Sequence, residues 1–158
     1  MGLNLARDRA KTLFEAAAVA EAEAIVFKTF VELEMASSGK QKGFGTYKPS
    51  AFPIEVMKLL RAQRPNLPED VEIIFGLQSK LPIVNLYWYR QKTQLELDEV
   101  RTHANQLLLA AEAAESDGFF YNFLNTRLEI PRQEAYVLIQ EFGQYRDRRR
   151  LDELFQKP

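Results

Sequence analysis

Two long stretches of this chain contain neither glycine nor proline, and they constrain its fold more than any other feature. They run from Leu3 to Ser38 and from Ile83 to Asp117, and both are rich in alanine, leucine, glutamate and glutamine, residues that favour helices. The segment between them, Gly39–Pro82, holds most of the glycine and proline. This layout predicts two long helices joined by an irregular segment.

Apolar periodicity supports the first helix, which we predict from about Leu5 to about Ala36. Small and apolar residues alternate spacings of four and three over four heptads: Ala6, Ala10, Leu13, Ala17, Ala20, Ala24, Phe27 and Val31. A second row widens the apolar stripe: Val19, Val26, Phe30 and Leu33. A stripe of this width is typical of a core helix rather than of a two-stranded coiled coil.

Four shorter or later helices are predicted by the same criteria. A short helix starts near Ser50 or Ala51 and ends before Pro65, since serine is a favoured N-cap and proline stops a helix. A second long helix runs from about Gln91 to Ser116 and ends at the sequence Ser116-Asp117-Gly118. The last two helices span Phe119–Leu128 and the residues after Pro131, where apolar residues follow helical spacing.

Residues 66–89 fit two interpretations. Val71, Ile74 and Phe75 follow helical spacing after the helix start at Pro68, whereas Val71, Ile73 and Phe75 also alternate as in a strand. A hairpin over 71–89 with its turn at Gln78–Pro82 is therefore possible, although we favour a helix. The predicted fold class is mostly α: a single domain over residues 1–158, a bundle of about five or six helices with two long ones, and a basic irregular loop at 39–52.

This sequence has few of the residues that catalysis and metal binding usually need. It has no cysteine and a single histidine, His103, so disulfides, thiolate metal sites and cysteine nucleophiles are excluded. Glu99 lies four residues before His103, which we interpret as a local contact on an exposed helix face. We therefore predict no catalytic residues, no metal site and no cofactor, and a protein that is not an enzyme.

Charged residues near the amino terminus and the lack of a long apolar run predict a cytoplasmic protein without a membrane partner. The start of the chain carries Arg7, Asp8, Arg9 and Lys11, where a signal peptide would have its apolar core.

A basic segment at 39–64 is the best functional lead in the sequence. It has six basic residues against Glu55 alone. Lysine neutralises phosphates, and aromatic rings stack on unpaired bases. The predicted nucleic-acid-binding residues are Lys40, Lys42, Phe44, Tyr47 and Lys48 in the loop, with Lys58, Arg61 and Arg64 along one helix face. The alternative for this segment is a solvated connector whose lysines keep it soluble.

Three contiguous aromatic residues, Tyr87, Trp88 and Tyr89, form the second candidate site, which we predict to bind protein. They cannot all be buried on one face of a helix or strand, so at least one ring is expected at the surface. A further basic run, Arg146–Arg150, is followed by acids four residues on, which favours pairing within the helix.

Two functions follow from these observations. The first is a non-catalytic subunit of a larger assembly, which contacts nucleic-acid phosphates non-specifically through residues 39–64 and binds other protein subunits. The alternative is a protein–protein adaptor or assembly factor that uses the Tyr87–Tyr89 surface and an exposed helix seam, with no nucleic-acid role. Binding that weakens steeply as salt rises would distinguish the first function from the second.

Overall fold

The computed structural model describes residues 2–39, 49–75, 81–88 and 90–155. Within these ranges the chain is mostly helical, as predicted. The helices are α1 (Leu3–Ser38), α2 (Ala51–Ala62), α3 (Leu97–Thr126) and α4 (Arg132–Phe155). The strands are β1 (Val71–Phe75), β2 (Pro82–Trp88) and β3 (Gln91–Glu96), and they form one antiparallel sheet in the order β1-β2-β3.

The first two predicted helices are confirmed. The predicted seam of α1 is largely buried, and Ala10, Leu13, Ala17 and Ala20 are its fully enclosed positions. Ser50 is the N-cap of α2: its hydroxyl oxygen accepts a hydrogen bond from the Phe52 N–H at 3.3 Å. Glu34 of α1 accepts bonds from both the backbone N–H and the hydroxyl of Ser50, each at 2.7 Å, which fixes where α2 begins.

The helix that we favoured over residues 66–89 is wrong, and the two strands of the alternative hairpin are confirmed. Of its predicted turn at Gln78–Pro82, Pro82 belongs to β2, and residues 78–80 lie outside the described residues. β1 and β2 pair antiparallel, with Val71 opposite Leu86 and Ile73 opposite Val84. All four of these side chains are buried. Alternation at a period of two therefore prevails over helical spacing, because β-branched residues that face each other across strands bury one side of a sheet.

The predicted start of the second long helix at Gln91 is also wrong. Residues 91–96 form β3, which pairs with β2 from Ile83 opposite Glu96 to Trp88 opposite Gln91. The turn between them includes Arg90, whose φ of 71° is in the left-handed region. The sequence of β3 is polar and favours no strand by itself, but the open backbone edge of β2 offers it hydrogen-bond partners, and tertiary context overrides propensity.

The predicted helix break at 116–118 does not occur either. α3 continues through Gly118 to Thr126, so the described residues contain four helices rather than five or six. A glycine within a helix costs only about 0.5–1 kcal/mol relative to alanine. Asp117, one residue earlier, forms an ion pair with Arg146 of α4 at 2.8 Å, and this pairing favours keeping the turn helical.

The chain divides into two compact units, residues 7–107 and residues 1–6 with 108–158. We call the first the sheet unit. Its core consists of the alanine-rich face of α1 with Leu13, one face of the sheet, and the first turns of α3, where Val100 and Ala104 have no exposed surface. Pro53 and Met57 are the buried residues of α2.

We call the second the hairpin unit, because the end of α3 and α4 are antiparallel neighbours joined by residues 127–131. Glu129 in this turn has a φ of 53°. The turn is closed by a bond from the Ile130 N–H to the Leu124 carbonyl at 3.0 Å and by the Asn125 side chain, which donates to the Ile130 carbonyl. Short connections of this kind fold two helices back on each other.

Candidate protein-interaction surfaces

The loop part of the predicted nucleic-acid site lies outside the residues that the structure describes. This applies to Lys40, Lys42, Phe44, Tyr47 and Lys48. Phosphate binding by this loop therefore stays a prediction.

The helix part of that site does not present three equivalent cations. Lys58 and Arg61 are exposed on α2, and the Lys58 ammonium contacts the Glu55 carboxylate at 2.7 Å. Ion pairs of this exposed kind contribute little and exchange readily. Arg64 lies beyond the end of α2 and is mostly covered, so the three-residue spacing that we interpreted as one outer face ends with Arg61.

Arg64 is held by Glu23 of α1. Two nitrogens of its guanidinium donate to the two carboxylate oxygens of Glu23, and a third nitrogen donates to the Ile73 carbonyl at 3.3 Å. Glu23 is only 4% exposed. A buried carboxylate needs such a bidentate partner, so Arg64 ties α1 and the edge of β1 together and would have to leave Glu23 in order to bind a phosphate.

The predicted protein-binding aromatics lie at the end of β2. Trp88 is 55% exposed, while Tyr87 is 37% exposed and points to the opposite side of the sheet. The Tyr87 hydroxyl donates to Glu72 at 2.7 Å, and the Lys92 ammonium lies 5.8 Å from the centre of the Tyr87 ring. Tyr89 lies outside the described residues. Trp88 is thus more exposed than Tyr87, and Tyr87 is held in place by its contacts with Glu72 and Lys92.

Glu72 connects Tyr87 to the interior of the sheet unit. One of its oxygens also accepts a bond from the Asn85 amide at 2.9 Å, and Asn85 is fully buried. The Asn85 amide and the Tyr87 hydroxyl together lower the pKa of the Glu72 carboxyl, with a smaller contribution from Lys92. The hydrogen bond to Glu72 in turn raises the pKa of Tyr87.

These bonds make a small part of the stability depend on pH. Because the pKa of Glu72 is lower in the folded state, its carboxylate stabilises the fold above its unfolded pKa of about 4.3 and loses that effect as pH falls through the folded value. We expect Glu72→Gln to cost less than about 1 kcal/mol at pH 7, since the side chain is exposed and screened. In urea titrations the difference from the wild type should shrink between pH 5 and pH 3; a difference that is constant with pH would contradict this.

A cluster of exposed aromatic residues lies elsewhere, on the hairpin unit. Phe119, Phe120 and Phe123 of α3 and Phe142 of α4 are 38–66% exposed. Their rings contact in series: the centroid distances are 5.9 Å for Phe119–Phe120, 6.4 Å for Phe119–Phe123 and 5.1 Å for Phe120–Phe142. We call these four residues the aromatic patch. Helical periodicity in the sequence detects such an apolar face but not whether another element covers it.

The patch continues along α4 into a basic cleft. Leu138 and Tyr145 flank Phe142 at helical spacings of four and three and are also exposed. A cleft of about 270 Å³ follows, lined by Phe142, Tyr145, Arg146, Arg149 and Arg150. The Arg146 guanidinium lies 5.8 Å from the centre of the Phe142 ring and is paired with Asp117. Hydrogen bonding to Asp117 raises the pKa of Arg146, so this cation stays charged beside the patch.

We predicted that Glu99 contacts His103, but its hydrogen-bond partner is a backbone group. Glu99 accepts a hydrogen bond from the backbone N–H of Glu96 at 2.8 Å, and His103 is exposed. Both residues line an open groove of about 330 Å³ beside β3. In the part of the chain that the structure describes, no three His, Asp or Glu side chains are grouped as a metal ion would require.

Comparisons with known proteins add no family. No protein-family model matches this chain, and no curated protein and no solved structure is significantly similar to it. Among the described residues, none of the helices has the length and apolar character needed to cross a membrane.

Proposed function

We propose that this protein is a non-catalytic adaptor that binds another protein through the aromatic patch of its hairpin unit. The observation that carries the proposal is that Phe119, Phe120, Phe123 and Phe142 touch one another and yet are each more than a third exposed. Single exposed apolar residues are ordinary, whereas contiguous aromatic clusters mark binding sites. Aromatic anchors also dominate the energetics of protein interfaces.

The chemistry around the patch favours an amphipathic helix with acidic flanks as the partner. Two antiparallel helices present a shallow apolar groove, and a third helix fills such a groove with side chains at spacings of three and four. The groove ends at Arg146–Arg150, a run of four arginines and Asp147 that Asp152 and Glu153 follow in the sequence. Arg146 itself is paired with Asp117. Acidic residues beside the apolar row of the partner would meet these arginines and increase the association rate.

Nucleic-acid binding through residues 39–64 is the weaker of the two proposals. Arg64 is engaged by a buried carboxylate of its own chain, and the lysines of the loop lie outside the described residues. All side chains on which the adaptor proposal depends are described in the structure. They lie on the hairpin unit, whereas the sequence analysis predicted a protein-binding surface around Trp88.

Two fluorescent helical peptides test the adaptor proposal. Both carry leucines at alternating spacings of three and four, and their polar faces are glutamate in one and lysine in the other. We expect the glutamate peptide to bind more tightly, and Phe123→Ala to weaken its binding at least tenfold, because an aromatic anchor of an interface contributes about 2 kcal/mol or more. Arg150→Glu should reduce the preference for the glutamate peptide. Fluorescence anisotropy at several salt concentrations measures all of these effects.

Tyr136→Ala is the matched control, because Tyr136 is an exposed aromatic on α4 outside the patch. It should leave peptide binding unchanged. If neither peptide binds the wild type, or if Tyr136→Ala and Phe123→Ala have equal effects, the patch is not the docking site. A labelled single-stranded oligonucleotide is included in the same assay: salt-sensitive oligonucleotide binding without peptide binding would replace the adaptor with the nucleic-acid function.

A further inference from the structure

β3 lies at one edge of the three-stranded sheet. β2 lies between β1 and β3, so β1 and β3 each have one outer edge. At β1 this edge is engaged by Arg64, which donates to the Ile73 carbonyl. At β3 no further strand is present among the described residues, and its side chains are exposed except for the half-buried Leu95. Exposed edges of this kind are templates for another chain.

The hydrogen bonds of β3 show which of its backbone groups face outward. The Glu96 N–H donates to the Glu99 carboxylate rather than to β2, so Glu96 and its partner Ile83 are a non-hydrogen-bonded pair. Bonded and non-bonded pairs alternate in an antiparallel ladder. Thr93 and Leu95 therefore bond to β2, and the N–H and C=O groups of Lys92 and Gln94 face outward.

We infer that β3 pairs antiparallel with β3 of a second copy of this chain, across a two-fold axis at Gln94. This register joins the outward-facing backbone groups of Gln94 in both strands and places Lys92 opposite Glu96 of the second copy, twice by symmetry. To complete the bonds with Lys92, the Glu96 N–H has to leave the Glu99 carboxylate. Opposite charges that face each other across strands stabilise a pair, and like charges destabilise it. An axis at Lys92 would oppose two lysines, and an axis at Glu96 would oppose two glutamates.

The groove beside β3 offers space for the incoming strand. It is lined by Leu95 of β3 and by one side of α3: Asp98, Glu99, Thr102, His103 and Gln106. Side chains alternate between the two faces of a strand, so Thr93 and Leu95 of the second copy would lie on the same side as Leu95 and enter this groove. The three-stranded sheets of two copies would then form one continuous sheet. The second copy would therefore bind through the backbone edge of β3 rather than through an apolar patch.

Reversal and exchange of the two charges test this pairing. We expect the wild type to dimerise at micromolar concentration in sedimentation equilibrium. Lys92→Glu and Glu96→Lys should each raise the dissociation constant at least tenfold, because each single change places like charges opposite each other. The double variant Lys92→Glu/Glu96→Lys should return to within about threefold of the wild type. Gln94→Pro should abolish the dimer, because it removes an outward N–H and leaves the bonds to β2 in place.

The outcomes of this test are independent of the adaptor proposal, since the aromatic patch lies in the hairpin unit. A wild type that is monomeric at 100 µM overturns the pairing, as does a charge exchange that fails to restore the dimer. A dimer that is lost in Phe123→Ala but retained in Lys92→Glu would place the second copy on the aromatic patch instead. Circular dichroism of every variant, Gln94→Pro above all, establishes that loss of the dimer is not loss of the fold.

Discussion

Glu23→Ala should lower the free energy of unfolding of the sheet unit by about 3–5 kcal/mol, as is typical when one partner of a buried ion pair is removed. The substitution leaves the Arg64 guanidinium without a carboxylate in a site where it is mostly covered. It also removes the link between α1 and the Ile73 carbonyl at the edge of β1. Chemical denaturation followed by circular dichroism measures the loss.

Two comparisons isolate the role of burial in this pair. Lys58→Ala breaks the exposed pair with Glu55 and should cost no more than about 1 kcal/mol. The double variant Glu23→Leu/Arg64→Leu should recover most of the stability, because replacing both ions with apolar side chains removes the uncompensated charge. If Glu23→Ala lowers the free energy of unfolding as little as Lys58→Ala does, water screens the Glu23–Arg64 pair. Arg64 is then again a candidate phosphate ligand.

Leu13→Ala should cost about 2–5 kcal/mol, the usual range for a leucine truncated in a packed core. Leu13 is fully buried in α1, and its buried neighbours along the same face are small: Ala10, Ala16, Ala17 and Ala20. Alanine side chains cannot extend into the space that the leucine leaves. The cavity should therefore persist, and the cost should lie in the upper half of the range.

Leu33→Ala provides the control in the same helix, because Leu33 is exposed and surface changes stay within about 0.5 kcal/mol. Leu13→Met keeps most of the volume and should cost less than about 1.5 kcal/mol. Equal thermal stability of Leu13→Ala and Leu33→Ala would show that the alanine-rich face of α1 is not part of a close-packed core.

The helices that the sequence predicts well are those whose formation depends on residues close together in the sequence. α1 and α2 have uninterrupted apolar periodicity and clear boundary residues, and both occur within two or three residues of the predicted ends. The predictions that are wrong depend on partners distant in sequence. Gln91–Glu96 is a strand because β2 lies beside it, and α3 continues through Gly118 next to the ion pair between Asp117 and Arg146.

The same distinction applies to the candidate sites. The three-residue spacing of Lys58, Arg61 and Arg64 suggests a common face, but spacing does not show that Glu23, forty-one residues from Arg64, neutralises it. The sequence predicts at least one exposed ring among Tyr87, Trp88 and Tyr89, and the structure shows that Trp88 is more exposed than Tyr87. The aromatic patch is the opposite case: the periodicity of Phe119, Phe120 and Phe123 marks an apolar face, and only the coordinates show how much of it is uncovered.

The sequence alone determined that this chain is mostly helical, that α1 has one alanine-rich buried face, and that the chemistry of cysteine is absent. These properties depend on propensity, on periodicity and on composition, which act over a few residues at a time. Only the tertiary structure decided that residues 71–75, 82–88 and 91–96 form a sheet, that Arg64 is a structural cation and that four phenylalanines face the solvent. Strand pairing, ion pairing and burial each require two segments of the chain to come into contact. Neither segment by itself determines the free energy of that contact.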